Sequence, residues 1–382
     1  MTWYPARATV DLSAIRHNVA GLVDRVGSAQ VMAVVKADAY GHGLVPAAQA
    51  ALAGGATWLG VAQTSEALAL RAAGITEPRL LTWLYAPGAP LAELLTADVD
   101  VSVAAAWALE AVAEAARSTG RTARVHLKID TGLGRNGLTL PMLDDLLPAA
   151  MAAQAEGTVQ VVGIWSHLAF ADSPDHPTVR GQAQVFAQAV DAAQRAGAHL
   201  EVRHLANSAA VLTTPEVHYD LVRPGLAVYG LSPIPEQASS AELGLVPAMT
   251  LTARLATVKP MPAGRGLSYA HAYTTTQDTT IGIVPLGYAD GITRHASGSN
   301  ARPGGPVQVG GRRLAVSGRV CMDQFVVDLG PGATEQAGDE VVLFGTGADG
   351  GPTAEDWAQV AGTISYEIVT RLGARVPREY VG

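Results

Sequence analysis

Eight short apolar runs alternate with helical segments over the first 230 residues, and this alternation constrains the fold more than any other feature. The runs are almost continuously apolar, as is typical of parallel strands that are buried on both faces. They lie at residues 31–35, 58–62, 79–84, 99–103, 125–129, 159–165, 200–205 and 219–223. The segments between them are rich in Ala and Leu, and several end at Gly, which commonly follows a helix. Eight strand–helix units predict an α/β fold with a (β/α)8 TIM-type barrel.

The character of the sequence changes at residues 231–247, where Pro and Ser are frequent. Such a stretch is typical of a linker. Strand-like runs separated by Gly and Pro follow it, together with one helix at residues 353–362 that Thr353 is placed to cap. We therefore predict a barrel over residues 1–240 and a mostly β C-terminal domain over residues 241–382.

Composition and charge exclude several classes of partner. The formal net charge is −8, whereas binding to nucleic acid or an anionic membrane requires a basic surface. The single cysteine, Cys321, has no partner for an intramolecular disulfide, which favours a cytoplasmic protein. The sequence contains no apolar run of transmembrane length, no signal-peptide pattern at its start and no metal-binding spacing. We expect no nucleic acid, membrane or metal ligand.

Lys36 directly follows the first predicted strand, at the end of the barrel where active sites of this fold lie. Only three of the 26 basic residues are lysine, so a lysine retained at a buried strand end is a candidate for chemistry that arginine cannot perform. One alternative is a lysine that extends from the rim into water. The alternative that we favour is a Schiff-base lysine, which requires a primary amine in a desolvated pocket. Pyridoxal phosphate (PLP) is the common cofactor of such a lysine.

A PLP site also requires a phosphate cradle, which this fold usually builds after strands seven and eight. Polar or flexible residues follow the last three predicted strands: His167, Asn207, Ser208, Arg223, Gly225 and Leu226. Backbone N–H groups at a helix start and at Gly225 are suited to bind an anion. Other roles remain open, because Asn207 also suits an ordinary helix cap, Arg223 a salt bridge and His167 a buried core position.

Residues 345–350 read GTGADG and match a dinucleotide-binding fingerprint, with Glu367 in a later run that we predict as a strand. Pro352 and Thr353 separate the last glycine from the predicted helix, however, and the remaining chain is too short for a Rossmann sheet. A Gly-rich loop is the better prediction for this stretch.

Several motifs resemble those of the alanine racemase family. VVKADAYGHG (34–43) is similar to the family's PLP-lysine motif. Further similar segments are HLKIDTGLGRNG (126–137), SHLA (166–169), RPGLAVYG (223–230), GLSYAHAY (266–273), GYADG (287–291), GRVCMDQ (318–324) and TISYEIVTRL (363–372). They occur in the family's order along nearly the whole chain, so the chain is identified as a member by resemblance.

The resemblance implies that Lys36 carries PLP through a Schiff base and acts as one of two catalytic bases. Tyr269 would be the second base, on the opposite face of the substrate. In this family two chains share each active site, so the resemblance implies a homodimer in which Tyr269, Tyr288 and Met322 of one chain complete the site of the other. The remaining cofactor-binding residues that it implies are Tyr40, His167, Asn207, Ser208, Arg223, Gly225, Leu226 and Tyr366.

The resemblance also implies how the substrate is bound. Arg135 would contact the substrate carboxylate, with Met322 nearby, and a carbamylated Lys128 would orient Arg135. A cationic Lys128 paired with Asp130 is the alternative. Cys321 and Asp323 would support the second base, since no base is placed to make Cys321 a nucleophile.

The implied activity is an isomerase that interconverts L-alanine and D-alanine and supplies D-alanine for peptidoglycan. A broad-specificity or serine-preferring racemase of the same family is the alternative. A PLP-dependent decarboxylase would need an acidic residue where this chain has Arg223, and a PLP-carrier barrel would lack the domain that holds Tyr269. One departure from the family pattern is Ala270, where Gly is frequent, and it implies strain if φ is positive there.

Overall fold

The computed structural model describes residues 4–382, and its central feature is a nearly closed barrel of parallel strands. The chain begins with β1 (Ala6–Asp11), and the eight predicted runs then form β2 (Gln30–Val34), β3 (Trp58–Val61), β4 (Arg79–Thr82), β5 (Asp100–Val103), β6 (Ala123–Lys128), β7 (Val159–Trp165), β8 (Val202–His204) and β9 (Leu221–Val222). Their order is β8-β7-β6-β5-β4-β3-β2-β9. An isolated parallel bridge between Asn207 and Arg223 spans the remaining gap. The predicted TIM-type barrel is confirmed.

Helices surround the barrel because each presents one apolar face to it. In Pro177–Arg195 the buried Val179, Phe186 and Val190 follow helical spacing. The other helices of this half are Leu12–Val26, Leu44–Ala53, Thr64–Ala72, Leu91–Thr96, Ala106–Thr119, Leu140–Ala155 and Ser208–Thr213. In the described part of the chain, every helix is too short or too polar to cross a bilayer.

The C-terminal domain is mostly β, as predicted. Its strands are β10 (Met249–Arg254), β11 (Thr257–Met261), β12 (Gly266–Leu267), β13 (Tyr273–Thr274), β14 (Thr279–Val284), β15 (Pro306–Val309), β16 (Arg312–Ala315), β17 (Phe325–Gly330), β18 (Glu340–Phe344) and β19 (Arg378–Val381). They form a six-stranded sheet of order β16-β15-β18-β10-β1-β19, a three-stranded sheet and a two-stranded sheet. The helix Ala354–Ala361 has Thr353 as its cap, and Thr353 Oγ1 accepts a hydrogen bond from Asp356 N at 3.1 Å.

The structure differs from the sequence prediction at two places and agrees with it at a third. Strand β1 pairs with β10 and β19, so the first described residues belong to the second domain's sheet and not to the barrel. Glu367 lies in a helix, Ser365–Thr370, and not in a strand, because the buried Ile368 and Val369 fit a helical face better than an alternating one. Residues 345–350 form a loop that ends in a single 3₁₀ turn, Ala348–Gly350, as predicted.

Strand β19 also contacts the loop that follows β2. Arg378 Nε donates to the carbonyl oxygen of Gly41 at 3.1 Å, and its other nitrogens donate to Leu372, Gly373 and Val376. The phenol oxygen of Tyr380 occupies the space that a side chain at Gly43 would need. The C-terminal strand therefore supports the loop that carries Lys36.

Asp100, the first residue of β5, organises the end of the barrel opposite the predicted site. Its fully buried carboxylate accepts from Arg79 Nη2 at 2.5 Å, Arg124 Nε at 2.6 Å and His126 Nε2 at 3.1 Å. Burial by itself raises the pKa of Asp100, but the hydrogen bond from His126 and the charges of Arg79 and Arg124 outweigh it and lower the pKa. An ionised Asp100 therefore ties β4, β5 and β6 together.

Asp100→Asn should lower the free energy of unfolding by about 3 kcal/mol, because it leaves two arginines beside a buried neutral group. Asp98→Asn is the matched control, since it removes an exposed carboxylate 2.8 Å from the same Arg124 and should cost under about 1 kcal/mol. Denaturant titration at pH 7 measures both. Because the folded-state pKa of Asp100 is lowered, its contribution is present above the unfolded pKa of about 4 and is lost as the pH falls through the folded value. Equal losses in the two variants would contradict this role.

Candidate active site

A cavity of about 1010 Å³ opens at the C-terminal mouth of the barrel. It is lined by every residue that the sequence predicted for the barrel side of the site and by Tyr366 of the second domain. These residues are Lys36, Tyr40, Lys128, Arg135, His167, Asn207, Ser208, Arg223, Gly225, Leu226 and Tyr366. The volume is that of a pocket for a cofactor-sized ligand.

Lys36 begins a left-handed turn, Lys36–Tyr40, at the end of β2. Ala37, Asp38, Ala39 and Tyr40 have φ of +54°, +53°, +54° and +55°. Left-handed helical geometry costs roughly 1–2 kcal/mol for each residue with a side chain, so contacts from outside must hold the turn. Strain of this kind is concentrated at functional sites.

Glu66 supplies the main contact that holds this turn. Its Oε1 accepts from Ala37 N at 2.6 Å, and its Oε2 accepts from Ala62 N and Gln63 N at 3.1 and 2.9 Å. Asp38 adds a second contact by accepting from Leu44 N at 2.7 Å. Glu66 thus connects the turn to the start of the helix Thr64–Ala72 and supports the position of Lys36.

One side of the cavity presents tyrosine hydroxyls. The Tyr40 ring packs against Gly225, where any side chain would collide with the phenol oxygen, and its centroid lies 6.0 Å from that of Tyr366. Burial raises the pKa of Tyr40 and raises the pKa of Tyr366 to about 12. Both hydroxyls therefore stay protonated and are able to donate hydrogen bonds to an anion.

The start of the helix Ser208–Thr213 lies beside these tyrosines. Asn207 Oδ1 accepts from Ala210 N at 3.1 Å, so Asn207 is the helix cap. Ser208 Oγ accepts from Gly225 N at 2.8 Å and from Ala227 N at 3.3 Å. The amide of Gly225 is therefore bonded within the chain, while the hydroxyl proton of Ser208 is left for a further acceptor.

The Trp165 ring contacts two cationic side chains at the base of the cavity. Lys128 Nζ lies 3.7 Å from the ring centroid and the Arg223 guanidinium carbon lies 4.8 Å from it. Both distances are within the range of cation–π attraction. The imidazole of His204 stacks on the same ring at 5.5 Å. Asp130 instead accepts from Gly132 N and Gly134 N, and no carboxylate in residues 4–382 forms a salt bridge with Lys128.

Burial and mutual repulsion shift the titration of these cations. Burial lowers the pKa of Lys36, Arg135 lowers it further, and Glu66 opposes both effects. Burial, Arg223 and Arg135 hold the pKa of Lys128 well below its usual value. Burial lowers the pKa of Arg223, which is 4% exposed, to about 9. The site therefore favours neutral amines beside a guanidinium that stays charged at neutral pH.

Tyr269, Tyr288 and Met322 lie outside the cavity of their own chain. They are 67%, 42% and 53% exposed, although they are large and partly apolar. The loops that carry them are joined, since Tyr288 N donates to Cys321 O at 3.0 Å and Ser268 Oγ lies 3.4 Å from Cys321 Sγ. An exposed apolar cluster of this kind is typical of an interface.

Asp323 lies at the edge of this cluster. Its carboxylate accepts from Arg375 Nη1 at 2.8 Å, and Arg375 Nε also lies 3.2 Å from the buried Asp290. Asp290 accepts in turn from Tyr4 Oη at 2.6 Å and from Gly287 N at 2.8 Å. These bonds hold the loop that contains Tyr288 in place.

The chain is similar over nearly its whole length to proteins of one family. The family model "Alanine racemase, N-terminal domain" matches residues 10–233 and "Alanine racemase, C-terminal domain" matches residues 248–380. The alanine racemase of Beutenbergia cavernae is 63% identical over 99% of this chain and 98% of its own length. The crystal structure of alanine racemase from Streptomyces lavendulae matches with a TM-score of 0.97 at 55% identity, over 100% of this chain and 98% of its own. That from Streptomyces coelicolor matches at 0.96 and 55%, over 99% and 98%.

The chain belongs to the alanine racemase family. Membership confirms the family that the motifs indicated and makes the chain an isomerase, an amino-acid racemase. It agrees with the arguments from the sequence against a decarboxylase, a PLP-carrier barrel and a dinucleotide-binding protein.

Sequence reasoning missed three residues of this alanine racemase site. Trp165 ends the sixth predicted strand immediately before Ser166, and a strand-end aromatic beside candidate cations is a signal that would have found it. His204 is the next-to-last residue of the seventh predicted run and ends β8, so its position near the C-terminal end of the barrel was also predictable. Glu66 gave no such signal, because a glutamate at that helix position is usually part of a capping box.

The alanine racemase motif around Tyr269 is strained at the position where the sequence departs from the family. Ser268, Ala270 and His271 have φ of +61°, +58° and +46°. A glycine adopts such values without the steric cost that a Cβ brings. Ala270 is therefore strained, as expected for a residue with a Cβ at positive φ. A glycine at this position, which is frequent in the family, avoids that steric cost.

Ala270→Gly should raise the free energy of unfolding by about 0.5–1 kcal/mol, because it removes left-handed strain. Ala272→Gly is the matched control, since Ala272 has φ of −61° and should lose roughly the same amount through added flexibility of the unfolded chain. Denaturant titration of the three proteins distinguishes the cases. A loss of stability in both variants would show that the loop does not strain Ala270.

Proposed function

We propose that this chain interconverts L-alanine and D-alanine with PLP as cofactor, using Lys36 and Tyr269 as bases in a homodimer with shared sites. The observation that carries the proposal is the position of Lys36, a lysine with a lowered pKa in a cavity rich in donors for anions. We further propose a cytoplasmic location and a role in supplying D-alanine for peptidoglycan, on the strength of the family resemblance.

The residues of the cavity fit PLP. The hydroxyls of Tyr40 and Tyr366 stay protonated and line the same cavity as Ser208, and the missing side chain of Gly225 leaves room for the Tyr40 phenol. These donors match the needs of a phosphate, and Arg223 is a donor suited to a ring nitrogen. When bound, PLP supplies an electron sink for the negative charge that remains when the α-proton is removed.

Racemisation requires a proton to leave one face of the α-carbon and another to arrive at the opposite face. Two bases, one on each face, accomplish this without the movement of a single base across the substrate. Lys36 has a lowered pKa, which favours the neutral Nζ that accepts a proton. Tyr269 Oη would serve the other face from the neighbouring chain, because it lies outside the cavity of its own chain.

Arg135 and Lys128 would bind the substrate carboxylate. Burial holds the pKa of Lys128 well below its usual value, which favours the neutral Nζ that adds to CO₂. The addition forms a carbamate and releases one proton, and it converts a group beside two arginines from a base into an anion. A charge-assisted pair between this carbamate and Arg135 would then hold the guanidinium in place.

Incubation of the purified protein with PLP and either enantiomer of alanine should give a racemic mixture, because two bases allow proton removal from both faces. Circular dichroism follows the approach to equilibrium. L-serine in parallel tests the alternative substrate preference, and the cavity wall formed by Tyr366 leads us to expect that it reacts more slowly. Faster conversion of serine would shift the proposal to a serine-preferring racemase.

Mixing two inactive variants tests the shared site. Lys36→Ala should lack the visible absorbance of bound PLP, whereas Tyr269→Phe should retain it, and each alone should be inactive. Re-equilibrated at equal amounts, half of the dimers are mixed and each mixed dimer has one intact site, so about a quarter of the wild-type activity should return. If Tyr269 served its own chain, every site would contain one lesion and the mixture would stay inactive.

A further inference from the structure

A chain of buried hydrogen bonds runs through the barrel interior from Asp100 to Arg223. Asp100 Oδ2 lies 3.1 Å from His126 Nε2, His126 Nδ1 lies 2.9 Å from His204 Nε2, and His204 Nδ1 lies 3.3 Å from Arg223 Nη1. We call these four residues the central chain. The first three are fully buried, and polar groups at such positions are costly unless each has a partner.

The chemistry of the two end groups fixes the direction of every bond in the central chain. Arginine has only donors, so His204 Nδ1 must accept and its proton is on Nε2. This Nε2–H donates to His126 Nδ1, which leaves the proton of His126 on Nε2, where it donates to the ionised Asp100. Both histidines are therefore neutral, with the proton on Nε2. Burial and the charge of Arg223 also hold the pKa of His204 well below its usual value.

A glycine makes the central chain geometrically possible. His126 is on β6 and His204 is on β8, so β7 lies between them. The strand register pairs His126 with Gly163 of β7, and a Cβ at Gly163 would collide with the His126 ring. Because this side chain is missing, the imidazole lies across β7 and reaches the next strand.

We infer that His126 and Asp100 are positioning residues for Arg223. They hold His204 in the tautomer that accepts from Arg223, while Arg223 Nη2 donates to Ser166 O at 2.6 Å and to Leu205 O at 3.3 Å. Three of the five guanidinium N–H groups are thus anchored within the chain, and the others are left for a ligand in the cavity that Arg223 lines. The consequence for catalysis rests on the proposed function, whereas the protonation pattern does not.

The protonation pattern is measurable without any assay of activity. In holoenzyme with ¹⁵N-labelled histidine, with the His204 signals assigned by their loss in His204→Gln, the spectrum near pH 7 should show a protonated Nε2 and an unprotonated Nδ1 for His204. His126→Leu and Gly163→Ala should both change that pattern. Gly163→Ala is the more specific test, because it displaces the His126 ring and leaves all four residues of the central chain unchanged. A cationic His204, or one protonated on Nδ1, in the unaltered protein overturns the inference even if alanine is racemised.

Kinetics tests the effect on Arg223. His126→Leu should lower kcat for alanine by about tenfold or more at saturating PLP while KM changes little, because the variant misplaces a group that acts during turnover. His126→Gln should recover part of kcat, since its amide both donates and accepts.

Gly282→Ala is the control, because its Cβ would also collide with a buried side chain, that of Leu255 at 2.8 Å, but on a strand outside the barrel. The kcat of this control should be unchanged. An equal kcat loss in His126→Gln and His126→Leu, or a similar loss in Gly282→Ala, contradicts positioning through hydrogen bonds.

Discussion

The crowding of positive groups in one desolvated mouth is the constraint on which the rest of the site depends. The barrel directs the ends of β2, β6, β7 and β9 to the same place, and with them Lys36, Lys128, His167 and Arg223. Water is too scarce there to screen so many like charges. Burial and this repulsion lower the pKa values of Lys36 and Lys128, which favours the loss of a proton from each amine. The remaining positive charge attracts anions, and a phosphate or a carboxylate group is suited to bind there.

The barrel was predictable because its strands are buried on both faces, and a run such as residues 159–165 is then apolar without interruption. Strand β1 was not predictable in the same way, since Ala6, Ala8 and Val10 are buried through pairing with strands that begin about 240 and about 370 residues later. The left-handed turn after Lys36 was equally invisible, because its residues have no preference for that geometry and depend on Glu66. Local sequence therefore revealed the barrel, and distant contacts decided the rest.

The residues of the candidate site also differ in how far the sequence alone predicts them. The motifs indicated Lys36, Tyr40 and Arg223, and the fold brings them to one cavity. For Tyr269 the motif implied a base in the site of the partner chain, and in a single chain this tyrosine is exposed outside the cavity. The link from Asp100 to Arg223 depends on strand register, because only the alignment of His126 with Gly163 shows that two histidines 78 residues apart are joined.

The contact between Arg378 and Gly41 joins residues that are 337 positions apart. During synthesis, the strained turn of Lys36 therefore lacks one of its supports until β19 has emerged from the ribosome and paired with β1. A nascent barrel without this strand would already contain Glu66, but the loop after the lysine turn would lack the contacts of Arg378 and Tyr380. The support of the lysine loop is thus complete only when both domains are made, and a chain truncated before Arg378 is expected to hold this loop less firmly even if its barrel has folded.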